Sequence, residues 1–297
     1  MTSAPSSTRD HSVSVIGLGK MGAALASALM NAGHHTVVWN RTAARSAALA
    51  ARGAVPAASV AEAIVRSPLV ITCLPDYDVV RALLEPDAAA LAGRTLVNLS
   101  TGKPEQAAAL ADWAATQGAQ YLDGAMMAVP QTVATGSAFF LYSGSREAFE
   151  AHRPTLDCLA TGHYLGPDPA VAELWDIALL GSGYAALTGF LHSVALLDTA
   201  GVAPSRFLPL VTQWLAGMVA FLPDLAREIE TDDYAGGVSP VDMNRVAVHG
   251  IIEVSRERGV DARVHAPLLA LLEQRSADGH GADSFSSIVE VLRAPRT

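Results

Sequence analysis

The chain has 297 residues, 51% of them hydrophobic and 16% charged, a length that favours two domains, each with its own core. A net charge of −9 with no run of Lys or Arg argues against a nucleic-acid surface, which needs clustered cations to neutralise phosphates. Gly, Pro and polar residues interrupt the apolar runs before any reaches about 18 residues, so no membrane span is expected. Residues 1–11 are Ser-rich without an apolar stretch and read as a loose tail, not a secretory signal. Cys73 and Cys158 lie far apart among apolar neighbours with no CxxC or CxxH spacing, so both are expected to be reduced core thiols in a cytoplasmic protein.

Val13-Ser14-Val15-Ile16 reads as a short strand that runs into Gly17-Leu18-Gly19-Lys20-Met21-Gly22 and then an Ala/Leu-rich helix over residues 23–32. This is a GxGxxG element in the setting a dinucleotide site requires. Gly17 permits the tight turn, Gly19 lets backbone approach a pyrophosphate, and Gly22 lets the helix pack closely on the strand. Phosphates would then sit over the helix N-terminus, where free N–H groups favour anions. The next strand, residues 36–39, ends in Asn40-Arg41-Thr42. An NAD site would place Asp or Glu there against the ribose 2′-hydroxyl; Arg41 in its place pairs with a 2′-phosphate, so NADP(H) is the expected cofactor.

Strands are expected at residues 69–72, 95–99, 121–125 and 139–143, with helices near 76–84, 104–117 and 146–159. The alternation implies an α/β Rossmann domain, doubly wound and mostly parallel, over residues 12–166. Ligands in such folds lie at the carboxyl ends of the strands, which makes Cys73, Leu74 and Pro75, and then Asn98, Ser100 and Thr101, candidates to line the cofactor site. Ordinary turn chemistry explains the same residues equally well.

From residue 169 to about 198 helix formers and small or apolar residues dominate, and thirty residues would span about 45 Å. That is long enough to join the Rossmann domain to an all-α C-terminal domain, assigned to residues 167–297. Further helices are expected near 204–230, 241–258, 266–278 and 284–292. Asp176 interrupts the apolar run of the long helix, and a buried carboxylate is costly unless bonded or functional. Tyr184 follows about 12 Å along the axis and about 80° round it, so the two could border one cleft. A bonded structural carboxylate and a core aromatic are the plainer readings. His192, His249 and His265 each sit alone in their segments, so no metal site is expected.

The motifs GLGKMG, NRT, CLP and NLSTGKP, together with the long helix, resemble the β-hydroxyacid dehydrogenase and 6-phosphogluconate dehydrogenase superfamily over nearly the whole chain. Two departures from the hydroxyacid dehydrogenases bear on function. Their substrate-carboxylate element, Ser-Gly-Gly, is replaced after Ala125 by Met126-Met127-Ala128-Val129-Pro130, which offers an anion only apolar side chains. Their catalytic Lys on the long helix has no counterpart, because no lysine follows Lys103.

With LWDIALLGSGY, GFLH and LYSGS, these departures resemble the imine reductases, which reduce C=N bonds with NADPH. The resemblance implies a homodimer in which C-terminal helices of one subunit complete the cleft of the other. It implies Tyr184 as proton donor and Asp176 as a carboxylate facing a cationic iminium, and, for a Tyr-bearing member, S-type stereochemistry. A phenol can donate to a nitrogen that becomes strongly basic as hydride arrives. Trp214, Met218, Phe221 and Met243 would contribute an apolar substrate pocket beside Met126 and Met127, although each could equally be bundle core or dimer interface. The alternatives are a hydroxyacid or aldehyde reductase in which Tyr replaces Lys, and a non-catalytic NADP(H)-binding protein.

Overall fold

In the computed structural model, which describes residues 12–237 and 239–293, strands and helices alternate through the first half; the tail expected at residues 1–11 lies outside the described residues. Ser12–Ile16 (β1) leads into Lys20–Asn31 (α1), His35–Trp39 (β2) into Ala43–Ala50 (α2), and Val55–Pro56 (β3) into Val60–Val65 (α3). Leu69–Thr72 (β4), Tyr77–Leu84 (α4), Thr95–Asn98 (β5), Pro104–Thr116 (α5) and Gln120–Met127 (β6) follow. Phe139–Gly144 (β7), Arg146–Leu156 (α6) and Thr161–Tyr164 (β8) complete the sheet.

The eight strands lie in the order β3-β2-β1-β4-β5-β6-β7-β8. β1 pairs in parallel with both β2 and β4, so the chain winds outward first to one edge and then to the other. The pair β6 and β7 is antiparallel, which makes the sheet mostly rather than wholly parallel. Both faces are covered, and the strand residues alternate between them. Val13, Val15 and Ile71 pack with Leu25 and Leu29 of α1 and Phe149 of α6, whereas Val37, Val70 and Leu96 pack with Ile64, Val80 and Leu110 of α3, α4 and α5.

Four short elements escape the sequence reading: α2, α3, β3 and β8. α3 has six residues, β3 only two, and neither shows a hydrophobic period long enough to stand out. Ser59 caps α3: the Glu62 N–H donates to Ser59 Oγ at 3.1 Å, and Glu62 Oε2 accepts the N–H of Ala58, the residue before the cap, at 2.6 Å.

The chain divides into two compact units at Leu180 and Gly181, inside the 28-residue helix Val171–Asp198 (α7). The second unit continues with Pro204–Val219 (α8), Leu222–Thr231 (α9), Val241–Glu257 (α10) and Ala266–Arg275 (α11), then a short 3-10 turn and Val289–Leu292 (α12). The single helix expected over 204–230 is therefore two. Pro223 sits in the first turn of α9, where it has no N–H to continue a helix arriving from α8. Val241, Val248 and Ile252 of α10 pack with Leu272 of α11 and with Ile288 to form the core of this unit.

Val171–Asp198 and Pro204–Thr231 each reach a mean hydropathy of 1.3 and are long and apolar enough to cross a membrane by that measure alone. Polar residues such as Asp176 and Thr212 break the apolar run without lowering the average much.

Candidate active site

The turn after β1 is built by contacts that exclude side chains. Gly17 has φ +97°, and a Cβ there would stand 2.3 Å from the Cys73 carbonyl oxygen; a Cβ on Gly22 would stand 1.9 Å from the Gly17 carbonyl. Only glycine meets both conditions. At Gly19, by contrast, a Cβ would meet nothing within 4 Å, so the backbone borders open space where the first turn of α1 begins. Asn40 braces this loop from the end of β2: its Oδ1 accepts the Leu18 N–H at 2.9 Å, and its Nδ2 donates to the Thr42 carbonyl at 3.2 Å. Arg41 and Thr42 are exposed beside it, and so is Arg45 in the first turn of α2, a cation that the sequence reading missed. The two arginine side chains make no ion pair among the described residues.

A cavity of about 330 Å³ opens at the carboxyl ends of the parallel strands. Met21 borders it beside the glycine loop, Cys73 and Leu74 follow β4, and Ser100 and Thr101 follow β5. Gly124, Ala125 and Met126 of β6, with Ala128, form an apolar wall, and Glu173, Asp176 and Leu180 face it from α7. The loops are tied together: the Leu74 N–H donates to Ser100 Oγ at 3.0 Å, and the Cys73 N–H to the Ile16 carbonyl at 2.9 Å. Burial pushes the Cys73 thiol up to about 11, which makes it a poor nucleophile at neutral pH.

Of the candidates named from sequence, Met21, Cys73, Leu74, Ser100, Thr101, Met126 and Asp176 thus line one cavity within the first unit. Others stand apart. Met127 lies on the opposite face of β6, packed with Ala125, Leu141 and Ala172, as strand alternation requires. Asn98 is fully buried behind the cavity, its Oδ1 accepting from the Thr72 hydroxyl at 2.9 Å. Lys20 and Pro75 are exposed and do not line it. Tyr184, Trp214, Met218, Phe221 and Met243 belong to the second unit, and all five are exposed, Tyr184 at 65% and Trp214 at 68%.

Asp176 is 6% exposed, and burial raises its carboxyl above the usual range. Its side chain accepts no hydrogen bond among the described residues. Behind it lies a set that sequence reasoning missed. Tyr77 Oη lies 2.8 and 2.9 Å from the two Asp123 oxygens and 2.9 Å from Glu173 Oε1, and Tyr121 donates to Asp123 Oδ1 at 2.6 Å. Asp76 fixes the start of α4 by accepting the Val79 N–H at 2.7 Å, which makes Tyr77 the first residue of the helix. A signal was present: Asp123 is a charge in the middle of the strand Tyr121-Leu122-Asp123-Gly124, and Glu173 precedes Asp176 by three residues, on the same helix face.

The histidines are not all solitary. His192 Nδ1 and His265 Nε2 are 3.1 Å apart, and Ser255 Oγ is 3.2 Å from His192 Nε2. Ser255 donates to the Ile251 carbonyl at 2.6 Å, so it accepts from His192, whose Nδ1 then accepts from His265. Burial, with the neighbouring His192, holds His265 below the usual imidazole range. The pair is a satisfied feature of the second unit's interior.

A family model described as the NAD binding domain of 6-phosphogluconate dehydrogenase matches residues 12–166, and one described as NADPH-dependent reductive aminase-like, C-terminal domain, matches residues 168–294. The NADPH-dependent reductive aminase of Aspergillus oryzae is 38% identical over 286 residues, which cover 95% of this chain and 97% of that one. The structure of a reductive aminase from Aspergillus terreus in complex with NADPH4, cyclohexanone and allyl amine is similar at a TM-score of 0.89 and 38% identity, covering 95% of this chain and 99% of that one. A Streptomyces aurantiacus imine reductase is similar at a TM-score of 0.90 and 36% identity, with the same coverage of both chains.

Proposed function

Because the chain belongs to the family of NADPH-dependent reductive aminases and imine reductases, we infer that it reduces C=N bonds, converting cyclic imines or iminium ions to amines with NADPH. The observation that carries this reading is the cavity itself: one wall is apolar, and Asp176 is buried there with no cation among the described residues to neutralise it. Such a site disfavours a carboxylate substrate and favours a cationic one.

The residues fit the cofactor. The open backbone at Gly19 and the first turn of α1 suit a pyrophosphate, and Arg41, with Arg45 close by in sequence, suits a 2′-phosphate. Bound there, NADPH supplies the hydride. Ser100 and Thr101 present hydroxyls at the cavity edge, while Met21, Leu74 and Met126 keep the reacting region apolar. Asp176 stabilises an iminium by charge, and Tyr184 supplies the proton that the new amine nitrogen takes up when the substrate is a neutral imine.

The protein acts as a homodimer that exchanges its C-terminal helices. α7 beyond Leu180 and the whole of α8 leave Leu187, Leu191, Leu210, Trp214 and Val219 at least 60% exposed, more apolar surface than a monomer normally shows to water. A second copy covers these faces and brings Trp214, Met218, Phe221 and Met243 to the cleft. Sedimentation without detergent should give a dimer at micromolar concentration. A monomer would overturn this assembly, and a requirement for lipid or detergent would reassign the helices to a membrane.

The deciding assay follows NADPH consumption with 2-methyl-1-pyrroline, beside 3-hydroxyisobutyrate with NADP+. Turnover of the imine alone supports the reading. Turnover of the hydroxyacid alone overturns it, and consumption with neither would leave a binding protein.

A further inference from the structure

Two carboxyls and a phenol behind the cavity have more acceptors than protons. Asp123 is fully buried, and Glu173, the third residue of α7, is 1% exposed and borders the cavity. Tyr77 Oη stands within 2.9 Å of both Asp123 oxygens and of Glu173 Oε1, yet a phenol has a single proton to donate. Were both carboxyls ionised, one of those contacts would press oxygen against oxygen with nothing between. One additional proton resolves it: the phenol donates to one carboxyl and accepts from the other, which is then a neutral acid. The remaining oxygens are served by Tyr121 Oη on Asp123 Oδ1 and by the Gly102 N–H on Glu173 Oε2 at 3.2 Å.

We propose that Asp123, Tyr77 and Glu173 hold one shared proton between the two carboxyls and act as positioning residues for Asp176, setting how much negative charge the cavity presents to its substrate. The proposal rests on the reading of Asp176 as the carboxylate that faces an iminium. Glu173 and Asp176 are three residues apart on α7, so their Cβ atoms are about 5–6 Å apart, and a charge on one opposes a charge on the other. The share of the proton that Glu173 holds reduces its opposition to a charge on Asp176. The groups acting on the pair come from every side: Tyr77 from α4, Tyr121 from β6, Asn98 from β5, the Gly102 amide from the loop before α5 and Asp176 from α7. None of them is a cation. Burial is the main cause that lifts Asp123 to about 7 and raises Glu173 above the usual range, with Asp176 adding to the latter.

The test uses infrared difference spectra of the full-length protein, which need no substrate. Wild type should show the carbonyl band of a protonated carboxylic acid at pH 6 that fades as pH rises through about 7. Glu173→Gln and Asp123→Asn should each weaken the band and lower the pH at which it fades, because the remaining carboxyl no longer competes for the phenolic proton while its burial is unchanged. Two independent variants guard against one that fails to fold. Glu173→Gln should also lower the pH at which Asp176 ionises, read against Asp176→Asn in the same spectra, because it removes a like charge from the same helix face. The acid limb of kcat/KM for the imine should move with it.

No acid band in wild type, or a band that fades at the same pH in wild type and both variants, overturns the shared proton. A shifted band with Asp176 ionisation unmoved overturns the control of Asp176. Failure to turn over any imine would sink the functional reading while leaving both infrared outcomes decisive.

Discussion

Tyr184→Phe should lower kcat for a cyclic imine about 100-fold or more while leaving NADPH affinity within about twofold of wild type. General acid groups contribute on the order of 100- to 10,000-fold, and the substitution removes one oxygen with little change in shape. Structure makes the variant a clean probe. The Tyr184 side chain is 65% exposed in the single chain, and its hydroxyl accepts and donates nothing among the described residues; the Thr188 hydroxyl bonds the Tyr184 backbone carbonyl instead. No interior hydrogen bond is lost, so thermal stability should not fall appreciably. A preformed iminium gives the control. It carries its proton already, so its reduction should lose far less rate than that of a neutral imine. Equal loss on both substrates would make Tyr184 an orienting group, and no loss would make it a packing residue. Asp176→Asn should give the complementary pattern, slowing the iminium more than the neutral imine, because the charge it removes acts on the cation.

What could be read from sequence divides along the range of the interactions involved. The Rossmann architecture was legible because its signals are local: a strand of five residues, glycines at fixed offsets and a helix, all within Ser12–Asn31. The steric need for Gly17 and Gly22 is partly tertiary, since Cys73 supplies the wall against Gly17, yet spacing alone pointed to both. Asp176 stood out as a charge in an apolar run, and it is buried at the cavity as that run implies.

Tyr77, Asp123 and Glu173 were not legible as a set. They come from α4, β6 and α7, 46 and 50 residues apart along the chain, and nothing local says that one phenol will serve two carboxyls. The pairing of His192 with His265 was hidden in the same way, being 73 residues apart. Apolar helices of the second unit raised the opposite difficulty. Their composition signals burial, but the covering surface belongs to no described part of the same chain, so neither periodicity nor the single-chain fold says what packs there.

Arg41→Asp should weaken NADPH binding about 100-fold and NADH binding little, turning a preference for NADPH into near indifference or reversal. The argument starts from position. β2 ends at Trp39, Asn40 is committed to bracing the Leu18 amide, and Arg41 is the next side chain, exposed and without an acidic partner. A charge-assisted contact to a phosphate contributes roughly 1.5–3 kcal/mol, or about 10- to 100-fold in affinity, and a carboxylate in its place adds repulsion at the same point. NADH lacks the 2′-phosphate and gains a carboxylate partner for its ribose hydroxyls. Arg45 shares the load: Arg45→Ala alone should cost NADPH about tenfold, and the double variant more than Arg41→Ala alone. Fluorescence titration of both nucleotides measures each term without catalysis. Parallel losses of NADPH and NADH would mean that Arg41 supports the loop rather than reads the phosphate. Loss confined to Arg45→Ala would move the phosphate contact to the first turn of α2.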